Sequence, residues 1–272
     1  NVLFYGPPGS GKTLLAKSLV SILPSLSRPE VLEVTEIYSV AGLLTTNNPL
    51  IKVRPFRSPH HTASEVSLVG GGSNPRPGEI SLAHRGVLFL DELAEFSRKV
   101  LESLRQPLEE GVIVVARAAG TLQFPARFIL IGAMNPCPCG FAGDPVKQCT
   151  CTPGLVYRYQ RKLSGPLLDR FDLHVSVPRL PFEKLTGTPG ESSASVRERI
   201  LKVRALQAER FGSIKLNANM SAQDLKTQVV LPTSAVEILR QAVNKFHLSA
   251  RVYHRLLKIS RTIADLAGSD KV

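Results

Sequence analysis

The stretch GPPGSGKT, Gly6 to Thr13, spaces its glycines and its Lys-Thr pair as G-x-x-x-x-G-K-[ST]. In that pattern Gly6, Pro7, Pro8, Gly9, Ser10 and Gly11 form a loop whose backbone N–H groups wrap a phosphate chain at the positive end of a helix. Lys12 would reach the β- and γ-phosphates of ATP, and Thr13 would hold Mg²⁺. The run VLFLDE supplies a second half: Asp91 is suited to hold the Mg²⁺ through water, and Glu92 to orient or deprotonate the attacking water. Asn135, closing the run RFILIGAMN, is suited to position the same water. Arg170 in LLDRFDLHV is a candidate for reaching a neighbouring subunit's γ-phosphate, against a plain ion pair with Asp169 or Asp172. Arg251, at the start of a late helix, could also approach the phosphates.

All four cysteines fall in NPCPCGFAGDPVKQCTCTPG, as Cys137, Cys139, Cys149 and Cys151. Four thiols suit a tetrahedral structural Zn²⁺ site with no open position for catalysis. Free thiols are the alternative, and the absence of a visible secretory signal favours metal over disulfide. The site would clamp a loop between Asn135 and Arg170. His60 and His61 are adjacent; they are candidates for metal ligands, but on a strand they would point opposite ways, and the favoured expectation is that one is buried and hydrogen-bonded.

These residues need a frame. VLFYG, GVLFLDE, RFILIGAMN and RFDLHVSV are short apolar runs alternating with helical patterns, as in a parallel sheet covered on both faces. Residues 97–111 read as one helix with Val100, Leu101, Leu104 and Leu108 inward. The expected class is α/β, a P-loop parallel sheet flanked by helices with hairpin insertions, followed by a small all-α lid. The boundaries are a core at 1–180, with an insertion at about 40–85 and a cysteine-rich loop at 136–153, a Pro/Gly/Ser-rich linker at 181–194, and a lid at 195–272. The lid patterns place Val196, Ile200, Val203 and Leu206, then Val236, Leu239 and Val243, then Val252, Leu256, Ile259 and Ile263 inward. From Lys12 to Asp91 is 79 residues, long for one strand–helix–strand crossing, hence the insertion. GVIVVARAAGTLQF reads as a second hairpin with Arg117 near its tip.

The 272 residues carry a formal net charge of +12, which points to a polyanionic partner, nucleic acid before membrane. No eighteen-residue apolar run exists to span a bilayer. The opening NVLFYG reads as a buried strand, so the chain is expected to be a fragment.

In this order the motifs resemble the AAA+ ATPases, and specifically their magnesium-chelatase-like branch. RPFRSPHHTASEVSLVGGG, NPCPCG…CTCTPG, SGPLLDRFDLHV and LSARVYHRLLKISRTIADL are similar to the bacterial ComM/YifB family. The resemblance implies a cytoplasmic homo-hexameric ATPase acting as a helicase or branch-migration motor on single-stranded or branched DNA, without sequence preference, in recombination or natural transformation. It assigns Gly6–Thr13 as phosphate loop, Asp91 and Glu92 to Mg²⁺ and water, Asn135 as first sensor, Arg170 as arginine finger and Arg251 as second sensor. It implies an N-terminal domain that precedes this chain, a lid helix beyond its end, and an inserted hairpin aimed at the ring's pore. Arg76 and Arg117 are the cationic hairpin candidates for DNA. Two alternatives stay open: a chelatase-type motor remodelling a protein partner, and a nucleotide-gated scaffold. Glu92 and Arg170 favour turnover over the scaffold.

Overall fold

The computed structural model describes residues 1–72, 75–117, 120–181 and 190–272, except the side chains at 116 and 117. The chain divides into two compact units, Asn1–Ser21 with Ser25–Pro189, and Ile22–Pro24 with Gly190–Val272.

The first unit is built on a five-stranded parallel sheet. Its strands are β1 (Val2–Tyr5), β2 (Phe56–Arg57), β5 (Val87–Leu90), β8 (Ile129–Met134) and β9 (Leu173–Ser176), in the order β2-β5-β8-β1-β9. Every residue of β5 is buried, as expected for a strand covered on both faces. The strand order reverses at β1, which lies between β8 and β9. Ligands of open α/β sheets bind at such a switch point, beyond the carboxyl ends of the strands.

Helices α1 (Lys12–Ile22) and α2 (Arg28–Val40) follow β1. The insertion then contributes β2, α3 (Glu65–Val69), the hairpin β3 (Gly70–Gly71)–β4 (Arg76–Pro77), and α4 (Glu79–Leu82). A hairpin therefore interrupts a helical path, as the family resemblance implied. The crossing is tight: a Cβ on Gly78 would sit 2.3 Å from the Leu68 carbonyl oxygen, so glycine is required there. The arginines of RPFR act as struts. Arg57 forks onto Glu79 with two 2.6 Å bonds, and Arg54 donates to the Arg85 carbonyl at 2.6 Å.

The single helix expected over 97–111 is two, α5 (Arg98–Ser103) and α6 (Arg105–Glu110). Pro107 has no N–H to offer the Ser103 carbonyl, so the helix breaks one turn earlier. Val100, Leu101 and Leu104 are nevertheless buried, with Leu108 packed at the core's margin. β6 (Val112–Arg117) and β7 (Gly120–Pro125) pair antiparallel from Val112↔Pro125 to Arg117↔Gly120. Ile113, Val115 and Phe124 bury one face of that hairpin. α7 (Pro153–Gln160) and α8 (Gly165–Leu168) lead into β9.

The second unit is all-helical: α9 (Ser193–Phe211), α10 (Ala222–Gln228), α11 (Thr233–Phe246) and α12 (Ala250–Leu266). Its core gathers Met220, Leu225, Val229 and Leu257. The inward faces differ from the apolar periodicity. Leu206, Val236 and Ile263 are exposed, while Gln207, Arg261 and Asp265 are buried. The reason is a polar centre. Asp265 accepts from Arg210 (2.9 Å), Arg261 (3.0 Å), Asn217 (2.7 Å) and Gln207 (3.3 Å). Burial alone would raise its carboxyl, but the Arg210 and Asn217 hydrogen bonds and the two guanidinium charges outweigh it and hold the pKa below the usual range. No helix among the described residues is long and apolar enough to cross a membrane.

Candidate functional site

β1, β8 and β5 are neighbours, so Gly6, Asn135 and Asp91 leave the same edge of the sheet side by side. Gly9 and Gly11 take φ values of 75° and 91°, the left-handed turns that wrap the loop. Lys12 is 8% exposed. Its Nζ donates to the carbonyls of Gly6 and Pro7, both at 2.8 Å, and to Asn135 Oδ1 at 3.1 Å. Burial lowers the Lys12 pKa, and the Asp91 charge opposes that shift. Thr13 Oγ1 donates to Asp91 Oδ2 at 2.8 Å, and the Glu92 N–H donates to Asp91 Oδ1 at 2.9 Å. Lys12, Thr13, Asp91 and Asn135 are thus one connected cluster. It fits a phosphate: Ser10 Oγ is buried in the loop without a partner among the described residues, a hydroxyl aimed at a missing acceptor. Thr13 and Asp91, hard oxygen donors in mutual contact, suit Mg²⁺.

Glu92 follows Asp91 with φ 50° and ψ 45°, a left-handed conformation that non-glycine residues avoid and that concentrates at functional sites. Its half-exposed carboxylate meets His61 Nδ1 at 3.0 Å. The two histidines are not on a strand. Their rings lie 4.1 Å apart, centroid to centroid, and His61 also meets the edge of Phe96. The expectation of one buried histidine on a strand is corrected. His60 is exposed in a loop, and His61, 30% exposed at its side chain, points to Glu92.

Arg170 is only 5% exposed. Its guanidinium binds Glu109 of α6 and the Pro166 carbonyl, so an ion pair of the kind weighed against the finger exists, and Glu109 is a partner in it. In this arrangement Arg170 faces its own chain. Arg251 lies in the other compact unit, exposed in the first turn of α12, whose N-cap Ser249 accepts from the Val252 N–H. Arg76 is exposed on β4. The Arg117 side chain lies outside the described residues; its backbone ends β6.

The four cysteine sulfurs lie within 4.8 Å of one another and form no disulfide. Cys137 Sγ is 3.3 Å from Cys139 and 3.7 Å from Cys149, which are 3.5 Å apart. Four sulfurs about 2.3 Å from a tetrahedral zinc are about 3.8 Å from each other, close to this spacing. Backbone N–H groups point at the sulfurs, from Ala142 to Cys137 and from Cys151 to Cys149. The N–H groups of Phe141 and Thr150 pull the Cys139 thiol down to about 5. The loop between the pairs is pinned by Asp144, which accepts from its own turn and from Arg179 at 3.0 Å.

Residues 1–185 match the family described as magnesium chelatase, subunit ChlI, and residues 190–272 match its C-terminal region. The chain belongs to the magnesium-chelatase ChlI family. Within it the chain groups with ComM and YifB. It is 51% identical to competence protein ComM of Haemophilus influenzae, over all of this chain and 53% of that protein. It is 45% identical to YifB of Escherichia coli, over 99% of this chain and 53% of that protein. The 38 kDa magnesium-chelatase subunit of Rhodobacter capsulatus is more distant: 29% identical over 65% of this chain and 48% of its own length. The chain spans about half the length of the curated relatives it matches.

The five-stranded sheet brings Lys12, Thr13, Asp91 and Asn135 together, while Arg76, Arg117 and Arg251 lie off it. Two residues were missed. His61 was noticed but not joined to Glu92, because the contact crosses 31 residues (92 − 61) and no local pattern encodes it. Glu109 gave no signal beyond its charge. Its partner Arg170 lies 61 residues on, between α8 and β9, and only the folded chain discloses the pair.

Proposed function

We propose that this member of the ChlI family is an Mg²⁺-dependent ATPase that works as a homo-hexameric motor on DNA, as a helicase or branch-migration engine in recombination or natural transformation. The observation that carries this reading is the linked cluster of Lys12, Thr13, Asp91 and Asn135 at the tips of three adjacent strands. Bound ATP would take its place in the Gly6–Thr13 loop. Lys12 would exchange its Gly6 and Pro7 carbonyl bonds for phosphate oxygens. Thr13 and Asp91 would hold Mg²⁺, which neutralises charge developing on the phosphates. Glu92 would take the proton of the attacking water, with Asn135 orienting it. Arg170 would serve a neighbouring subunit after release from Glu109, and Arg251 would act as second sensor.

The DNA part rests on the net charge of +12, on the exposed Arg76, on the β6–β7 hairpin whose first strand ends at Arg117, and on the similarity to competence protein ComM. We also infer that Cys137, Cys139, Cys149 and Cys151 hold a structural Zn²⁺, since their sulfur spacing and backbone N–H donors suit that ion. An ATPase assay with and without a four-way DNA junction tests the main reading. Stimulation or unwinding is expected, with affinity falling steeply as salt rises. DNA-independent turnover would favour a motor that remodels a protein, the reading suggested by the magnesium-chelatase relatives. ATP binding without turnover would leave a nucleotide-gated scaffold.

A further inference from the structure

The cysteine cluster touches the phosphate loop, and it does so twice. Cys137 is fully buried two residues after Asn135, the residue whose Oδ1 accepts from Lys12 Nζ at 3.1 Å. Between them the Pro136 carbonyl accepts from Gln160 Nε2 at 3.2 Å, which fixes that short arm. The second arm is shorter. Gly140 follows Cys139 directly and packs on Pro8 in the middle of the phosphate loop. A Cβ at Gly140 would lie 2.6 Å from Pro8 Cδ and 3.0 Å from its Cγ, and the backbone there has φ 86°. The Gly140 N–H donates to the Cys137 carbonyl at 2.9 Å, joining the two arms.

We propose that the four-cysteine metal site is a brace for the nucleotide pocket: the bound ion fixes Asn135 and Gly140, and through them Lys12 and Pro8, in the arrangement that receives ATP. The inference rests on the zinc reading above and extends it from the sensor–finger segment to nucleotide affinity itself. The physical reasoning is direct. The ion would tie Cys137 and Cys139 to Cys149 and Cys151, which lie ten or more residues along the chain, across sulfurs that are otherwise joined to the backbone only through weak N–H···S bonds. Without the tie the Cys139–Gly140 corner is free to lift from Pro8, and the Asn135 oxygen from Lys12. The loop then has more conformations to lose when phosphate binds. The coupling is reciprocal, so nucleotide must tighten the metal by the factor by which metal tightens nucleotide.

The test uses the full chain. Zinc content is measured after purification under reducing conditions. The dissociation constant of a non-hydrolysable ATP analogue is then titrated in excess Mg²⁺, before and after treatment with a zinc-selective chelator. We expect about one zinc per chain, and at least a ten-fold rise in the dissociation constant on its removal. Saturating analogue should raise the zinc affinity by the same factor. Gly140→Ala gives a second, chelator-free arm: zinc retained, with analogue affinity reduced several-fold because the new methyl pushes on Pro8. Absence of zinc binding would sink the metal reading itself. Zinc bound at full stoichiometry, with analogue affinity unchanged by its removal or by Gly140→Ala, would overturn the brace and leave the metal site standing. Circular dichroism on the metal-free protein separates local loosening from unfolding. Should it unfold, the Gly140→Ala comparison decides.

Discussion

Glu92 sits in a left-handed backbone conformation with its carboxylate against His61, and both facts bear on turnover. Glu92→Gln keeps the shape and loses the carboxylate proposed as the base. We expect ATP binding to persist while kcat falls by at least about 10²-fold, the scale of general-base catalysis; near-normal ATPase would remove Glu92 from that role. His61→Ala leaves the proposed base but removes its His61 contact. A fall in kcat of roughly ten-fold with KM for ATP held is expected, on the scale of positioning effects, and His61→Asn should recover part of it. A change in KM alone would show that the contact serves binding rather than the attacking water. These two residues also mark what was legible. The roles proposed for Asp91 and Glu92 come from a pattern local to one strand, whereas His61 joins them through a loop whose path no periodicity encodes. Sequence reading put the histidines on a strand, and their ring–ring contact corrects it.

At the scale of elements, the long apolar strands were readable because burial on both faces leaves an unbroken hydrophobic run, as in VLFL of β5. β2 was not, since two residues, Phe56 and Arg57, leave no pattern. The β6–β7 hairpin was readable because its two strands are β-rich runs close together in the chain. The helical faces of the second unit were misread because their innermost positions are polar: Gln207, Arg261 and Asp265 hold one another, and an apolar count cannot find them. That centre makes a prediction. Asp265→Asn strands Arg210 and Arg261 beside an uncharged amide, and should cost about 3–5 kcal/mol, the range for breaking a buried ion pair. Thermal unfolding measures it, and a loss below about 1 kcal/mol would contradict the pair's importance. The sign with pH follows from the depressed carboxyl. Its stabilisation is present above the unfolded Asp value of about 3.9 and fades as pH falls through the lower folded value. Acid should therefore loosen wild type in a window where Asp265→Asn shows little further change. In the insertion, Gly78→Ala forces a methyl onto the Leu68 carbonyl. A loss of about 1–3 kcal/mol is expected, the cost of overpacking, and an unchanged melting temperature would show that the α3–α4 crossing yields.

For the molecule as a whole, charge and family frame the partner. With +12 on 272 residues, DNA affinity should fall linearly on a log–log plot against salt, with a slope set by the phosphates neutralised. A flat plot would take DNA out of the reading. One contact inside the first unit then bears on the proposed ring. Arg170 is clasped by Glu109, and Glu109 stands three residues before β6, the strand that ends at Arg117. With Arg170 as the finger, each subunit keeps its trigger under its own latch, and the latch is mounted at the root of the arm proposed to meet the strand. On the proposed reading idleness would then be the default condition: fuel would be spent when a load pulls the arm, and a ring in empty solution would stay quiet.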